Sequence, residues 1–337
     1  MGFTLTLFIF SISALVVALA GFYLVRYADI LADLTGIGEA LFGAILLGAI
    51  TSLAGIVTSV TAAYQSHPEL AMSNAIGGIA AQTLFLSIAD IVYRKANLEH
   101  SSASYANLLV GLLLIVMLGF ILLVIFAPEV AYFGVHPASI LLLFVYYLGN
   151  RAINKAKESP MWIPRYTSAT VEDVPEDNDW EGVNLPLLWA KFIGLAVLVG
   201  GAGYAIAQTG VALVRLTDLS EGFVGSLFTS VITSLPELVV TIAAVRQNSL
   251  TLAVANIIGG NSFDVLFVSF SDFFYQEGSI FHAIGTEQIF VLILTLLLTA
   301  VLLGGLLIRQ REGLVKIGWE SALIILLFIG GYAILYG

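Results

Sequence analysis

Thr233-Ser234-Leu235-Pro236-Glu237 repeats, with two changes, a stretch found 182 residues earlier, Thr51-Ser52-Leu53-Ala54-Gly55. Outward from this pair, residues 20–90 align without a gap on residues 202–272, and Asn74-Ala75-Ile76-Gly77-Gly78 matches Asn256-Ile257-Ile258-Gly259-Gly260. Between Leu34 and Asp90, 21 of 57 positions are identical, where unrelated apolar segments would share about five, so the chain carries an internal duplication. The two copies differ at one telling place: Glu237 faces Gly55.

Of the 337 residues, 59% are hydrophobic and only 11% charged. Soluble domains carry about a quarter charged residues, so the composition implies an integral, multi-pass membrane protein. Stretches of about 20 apolar residues, enough to cross about 30 Å of hydrocarbon as helix, fall at 4–25, 40–64, 70–93, 105–126, 131–150, 187–208, 221–245, 251–275, 285–308 and 316–335. Cytoplasmic connections collect Lys and Arg. With these spans, the odd-numbered connections hold Arg26, Arg94, Lys95, Arg151, Lys155, Lys157, Arg165, Arg246, Arg309, Arg311 and Lys316, with Lys191 just inside the sixth span, while the other side holds only Arg215.

That asymmetry predicts an all-α membrane protein of ten transmembrane helices with both termini outside. Five spans per copy is an odd number, so the second copy enters the membrane from the opposite side. The expected plan is a first five-helix repeat over 1–150, a cytoplasmic acidic linker over 151–186 and an inverted five-helix repeat over 187–337, with discontinuous central helices. The first segment lacks a basic leader region and is read as the first helix rather than a signal peptide. No cysteine is present, which excludes disulfides and thiolate chemistry. The net charge of −10 lies largely in the linker and loops and implies no nucleic-acid partner; the partners expected are membrane lipid and inorganic cations, with oligomeric state left open.

Glu237 lies midway along the seventh span, about 18 Å from its ends at 1.5 Å per residue, and Asp264 is similarly central in the eighth. Ionisable groups at that depth mark ion or proton paths. Ser226, Thr229, Ser230, Thr233, Ser234, Glu237 and Thr241 step by three and four along one helical face, a stripe of oxygens able to replace the water shell of a cation; the bland reading is that the hydroxyls bond back to their own helix. Pro236 removes a backbone donor and frees carbonyls near Thr233, and Gly259-Gly260 is expected to loosen the eighth span before Asn261. Asp90, Asp272, Glu39 and Glu221 sit near span ends and read as solvated or capping. Asn74 and Asn256 read as interhelical hydrogen-bonding residues. His67, His100, His136 and His282 fall in or near loops and read as surface positions. Asp177, Asp179 and Glu181 open like an EF-hand loop, but Leu188 stands where the closing Glu is required.

The Thr-Ser-x-Pro-Glu block and Gly259-Gly260-Asn261-Ser262-Phe263-Asp264 resemble the motifs of the cation/Ca2+ exchanger superfamily, which includes the sodium/calcium and proton/calcium exchangers. The resemblance covers both repeats. It implies secondary active antiport rather than enzymatic catalysis, no cofactor, and transported Ca2+, Na+ or H+. It also implies Glu237 and Asp264 as central ligands, with Thr233 giving its carbonyl, Ser234 its hydroxyl, and Thr51, Ser52 and Gln82 standing at the matching positions of the first copy. Family members that move Ca2+ usually have Glu at both central positions, whereas Gly55 supplies no side chain. Two readings follow: Na+/Ca2+ exchange at a midplane carboxylate site, or a monovalent cation or proton antiporter with weakened Ca2+ binding. A prokaryotic plasma membrane is the expected setting. An intramembrane hydrolase using the same carboxylates would need no pair of oxygen-lined inverted helices.

Overall fold

A computed structural model describes residues 2–35, 48–102, 104–171, 184–313 and 317–337. The described residues fold into α1 (Phe3–Thr35), α2 (Leu53–Tyr64), α3 (Pro68–Val92), the single turn α4 (Leu98–Ser101), α5 (Tyr105–Ile125), α6 (Pro137–Glu158) and α7 (Leu185–Thr217). These are followed by α8 (Glu221–Thr233), α9 (Leu235–Arg246), α10 (Leu250–Phe274), α11 (Thr286–Ile308) and α12 (Trp319–Tyr336). Among the described residues there is no strand beyond one isolated bridge, Tyr132 to Val135. Seven helices, α1, α3, α5, α7, α10, α11 and α12, are long and apolar enough to cross a bilayer, and α8 with α9 makes an eighth if the bent pair is one span.

The other two expected spans fare differently. Residues 40–47 of the second lie outside the described residues, and those from 48 to 51 are helical. The stretch expected at 131–150 starts later, at Pro137, and runs on to Glu158. It is not among the helices long and apolar enough to cross a bilayer, its second half carrying Asn150, Arg151, Asn154, Lys155 and Lys157.

α1 and α7 hold matching places in the two copies and are both 33 residues long, about 50 Å of helix. They pack on each other and turn Phe8, Leu15, Leu19, Ile193, Val197 and Leu198 outward, where lipid replaces water as the solvent. α3 and α10 are instead buried on nearly all sides and form the centre. They run antiparallel: Lys95 after α3 donates to Asn248 before α10 at 3.2 Å, while Ser66 before α3 donates to Glu277 after α10 at 2.5 Å.

Hydrogen bonds carry the sequence repeat into three dimensions. Asn74 Nδ2 donates to the Gly55 carbonyl at 3.3 Å and to Ser59 Oγ at 2.9 Å; 182 residues on, Asn256 Nδ2 donates to the Glu237 carbonyl at 3.3 Å and Thr241 Oγ1 at 2.9 Å. Asp90 accepts from the backbone N–H of Leu98 and Gly318 at 2.8 and 2.9 Å, and Asp272 from those of Ile280 and His136 at 3.0 and 2.8 Å. Each aspartate therefore caps one chain segment of its own half and one of the other half. This is the capping reading, in a fully buried rather than solvated setting. Glu221 likewise caps α3 through Leu70 N–H and pairs with His67; Glu39 lies outside the described residues.

The connections gather at two ends. At one, Arg309 donates to the carbonyls of Arg165 and His100 and Asn97 N–H to that of Arg311; at the other, His282 meets the Ala127 carbonyl and Ser220 donates to Glu287. His100 and His136 are buried rather than on the surface, because each ring satisfies backbone at a helix end: His100 Nδ1 lies 2.5 Å from the carbonyl of Arg309, which ends α11, and His136 Nδ1 accepts from Ala138 N–H in the first turn of α6 at 3.1 Å. The acidic residues expected in the linker, from Glu172 to Glu181, lie outside the described residues. The residue just before them is docked, with Val171 N–H donating to the Ser101 carbonyl.

Candidate cation site

α8 and α9 meet at Ser234 with a bend of 45°. Pro236 has no N–H to offer the preceding turn, and Ser234 takes φ −96° and ψ 4°; the same turn forms in the first copy with Ala54 in proline's place, so proline reinforces the break without being required for it. Ser52, its match in the first copy, takes φ −93° and ψ 11°. The helix break expected at Pro236 is present. The break expected at Gly259-Gly260 is not: α10 is helical through that pair and is interrupted only after Asp264, at Val265. The glycine serves contact instead, since a Cβ on Gly260 would stand 3.1 Å from Gln82 Oε1.

The two breaks and the middles of α3 and α10 enclose one small cavity. Ser52, Gly55, Asn74, Gly78, Gln82, Thr233, Ser234, Glu237, Asp264 and Phe267 line it, and it has no room for a water molecule. The Asp264 carboxylate draws the halves together: Ser52 Oγ donates to Oδ1 at 2.5 Å and Gln82 Nε2 to Oδ2 at 2.5 Å, with Gln82 Nε2 also 3.2 Å from Ser234 Oγ. Glu237 and Asp264 are each 2% exposed. Glu237 Oε2 and Gln82 Oε1 are buried without a hydrogen-bond donor. Carboxylate and amide oxygens are acceptors, so two orphaned lone-pair donors in one dry cavity are complementary to a cation or a proton.

Six of the seven residues singled out from sequence line this cavity. Thr51 does not; its hydroxyl donates to the Gly48 carbonyl at 3.0 Å, as the Thr233 hydroxyl donates to that of Ser230 at 3.2 Å. The oxygen stripe along α8 is mostly consumed in the same way. Ser226 and Ser230 donate to carbonyls four residues back and Thr229 donates chiefly to Asn74 Oδ1 at 2.7 Å, partly within a π-helical stretch, Val224–Thr229, so only its lower end opens on the cavity.

Phe267 was not singled out. A Cβ on Gly55 would stand 2.6 Å from Phe267 Cε2 and 3.1 Å from Cζ, so the ring fills the space that a longer side chain at position 55 would enter. The available signal was its spacing: Phe267 follows Asp264 by three residues and shares its helical face.

The family model for the sodium/calcium exchanger protein matches residues 5–152 and 187–337. The chain belongs to the sodium/calcium exchanger family. Among curated relatives of this family-like chain, an uncharacterized membrane protein of Methanocaldococcus jannaschii is 29% identical over 297 residues, 85% of this chain and 83% of the relative. The inner membrane protein YrbG of Escherichia coli is 28% identical over 73% of this chain and 72% of its own length. Sodium/calcium exchanger MaX1 of Methanosarcina acetivorans is 30% identical over 42% of this chain and 40% of its own. Among solved structures, the H+/Ca2+ exchanger CAX superposes with a TM-score of 0.68 at 16% identity, covering 98% of this chain and 82% of that one. The sodium-calcium exchanger NCX_Mj superposes at 0.60 with 18% identity, covering 99% and 100%. The exchanger fold is thus shared end to end, and the chain is a cation exchanger of the membrane.

Proposed function

We propose that this protein is a secondary antiporter exchanging Ca2+ for Na+ by alternating access at a midplane site, with ten spans in two inverted halves. The halves are 1–150 and 187–337, joined by the cytoplasmic acidic linker 151–186, in a prokaryotic plasma membrane with both termini outside. The observation that carries this reading is the pair of orphaned oxygens, on Glu237 and Gln82, beside the Asp264 carboxylate in a cavity closed by both halves. Glu237 and Asp264 supply charge equal to that of one divalent ion. Ser52, Ser234 and Gln82 add neutral oxygens from both copies, and Thr233 contributes its backbone carbonyl, whereas Thr51, its match in the first copy, stands outside the cavity. Sodium and calcium compete for the same carboxylates, so an inward Na+ gradient expels the divalent ion without ATP.

Radiotracer Ca2+ uptake into proteoliposomes, driven by an imposed Na+ gradient, tests this. Glu237→Gln and Asp264→Asn each abolish the flux, and undiminished gradient-driven transport in both variants refutes the proposal. Phe267 against Gly55 favours a second reading, in which two carboxylates without a third serve a monovalent cation or proton antiporter, since Ca2+ wants six to eight oxygens. A sodium flux indifferent to Ca2+ and driven by a pH gradient selects it.

A further inference from the structure

Asp90 and Asp272 occupy matching positions and make matching bonds, yet their surroundings differ. Beside Asp272 stand Phe281 and Ala138; at the equivalent positions beside Asp90 stand Glu99 and Glu320. Glu99 is 1% exposed and Glu320 wholly buried. Asn97 Nδ2 donates to Glu320 Oε1 at 2.5 Å. Glu320 Oε2 and both carboxyl oxygens of Glu99 have no other donor among the described residues, and the Glu99 carboxyl is within hydrogen-bonding reach of that of Glu320. The backbone is cut away to admit them: a Cβ on Gly305 or Gly318 would collide with the Glu320 side chain.

Among the described residues, the groups facing this pair leave it uncompensated. From α3 comes Asp90, another acid, whose oxygens are held by the N–H groups of Leu98 and Gly318. On α4, His100 turns its ring to the Arg309 carbonyl and Thr167. After α11, the Arg309 guanidinium serves the carbonyls of Arg165 and His100 and the Thr170 hydroxyl. Lys95, after α3, reaches Asn248 instead. Among the described residues no Lys or Arg forms an ion pair with either glutamate.

We propose that Glu99 and Glu320 form a binding site for a single proton, shared between their two carboxyl groups where α4 of the first half meets the start of α12 in the second. Two carboxylates in contact cannot both ionise, and a shared proton supplies the donor that their oxygens lack, in a strong O–H···O⁻ bond. The N-terminus of α12 favours the negative charge on Glu320, so the proton rests on Glu99. Burial, with Asp90 and Glu320 adding to it, holds the Glu99 carboxyl well above the usual carboxylate range. Because Phe281 and Ala138 take these places at the opposite end, only one end of the molecule carries this proton-dependent joint.

The test is independent of transport: infrared spectra of the full chain in lipid nanodiscs across a pH titration, with and without Na+ or Ca2+. Glu99→Gln loses one protonated-carboxyl band; Glu320→Gln keeps it but titrates it at lower pH, having lost the charged neighbour. Thermal unfolding gives a second readout. The folded chain holds a proton that the unfolded chain releases above about pH 4.3, so stability falls as pH rises, and the slope flattens in Glu99→Gln. An unchanged spectrum and an unchanged slope in Glu99→Gln overturn the proposal, as does displacement of the band by Na+ or Ca2+ in the wild type but not in Glu320→Gln, which makes the pair a metal site.

Discussion

Replacing Gly55 by glutamate tests whether Phe267 denies the cavity a third carboxylate. A Cβ at position 55 stands 2.6 Å from Phe267 Cε2, whereas carbon atoms settle at about 3.5–4.0 Å, so the ring must retreat by about 1 Å before the rest of the side chain is accommodated. It has little room to do so: Phe267 is 3% exposed and packs edge-on against Phe263, ring centres 6.4 Å apart. Overpacking of this kind costs about 1–3 kcal/mol. Phe267→Ala alone, by emptying a buried aromatic site, costs about 3–5 kcal/mol. Together the changes compensate, because the new side chain occupies the vacated space, and the double variant is more stable than the sum of the singles by at least about 1 kcal/mol. Ligand charge sets Ca2+ affinity at oxygen sites, so the double variant binds Ca2+ at least about tenfold more tightly than the parent, with little gain in Gly55→Glu alone. Denaturant unfolding in detergent micelles and calorimetric Ca2+ titration read both effects. Additive stabilities, with equal Ca2+ affinity in single and double variants, refute the reasoning.

Asn74→Ala and Asn256→Ala each remove a matched pair of donated bonds, worth about 1 kcal/mol within a membrane; Asn74 also accepts from Thr229 Oγ1 at 2.7 Å, so its loss is the larger, as ranked by unfolding midpoints. His136 caps α6, and burial holds its imidazole below the ordinary value against the opposing pull of Asp272. The unfolded chain takes up that proton near about pH 6.5 while the folded chain does so only at lower pH, so stability present at higher pH is lost as pH falls through this value, and His136→Asn, which keeps a capping side chain, flattens the melting-temperature profile there.

The two ends of the inference from sequence were unequally legible. Glu237 and Asp264 stood out because ionisable side chains at membrane depth need a reason, and the ungapped repeat told which residues of the two halves correspond, Gln82 opposite Asp264 among them. Ser52 and Ser234 followed from the same alignment, and the backbone break beside Pro236 from proline's missing donor. The stripe along α8 misled, because a helix offers every Ser and Thr a carbonyl one turn back, and periodicity alone does not tell a hydroxyl facing a cavity from one so engaged. Gly259-Gly260 misled in a related way: glycine permits a break but also permits close contact, and at Gly260 the contact is with Gln82 across the interface. Phe267, Glu99 and Glu320 were hidden because their meaning lies wholly in partners far along the chain, and histidines near loops proved buried because the loops fold back over them.

The exchanged caps of Asp90 and Asp272 also set a timetable for biogenesis. His136 lies 136 residues before Asp272, and Asp90 lies 228 residues before Gly318. At about 5–20 residues per second of synthesis, α6 waits roughly 7–27 s for its cap, and Asp90 roughly 11–46 s for its distant donor. The first half must therefore dwell in the bilayer with these polar groups unmet until the segments that carry Asp272 and Gly318 have been made.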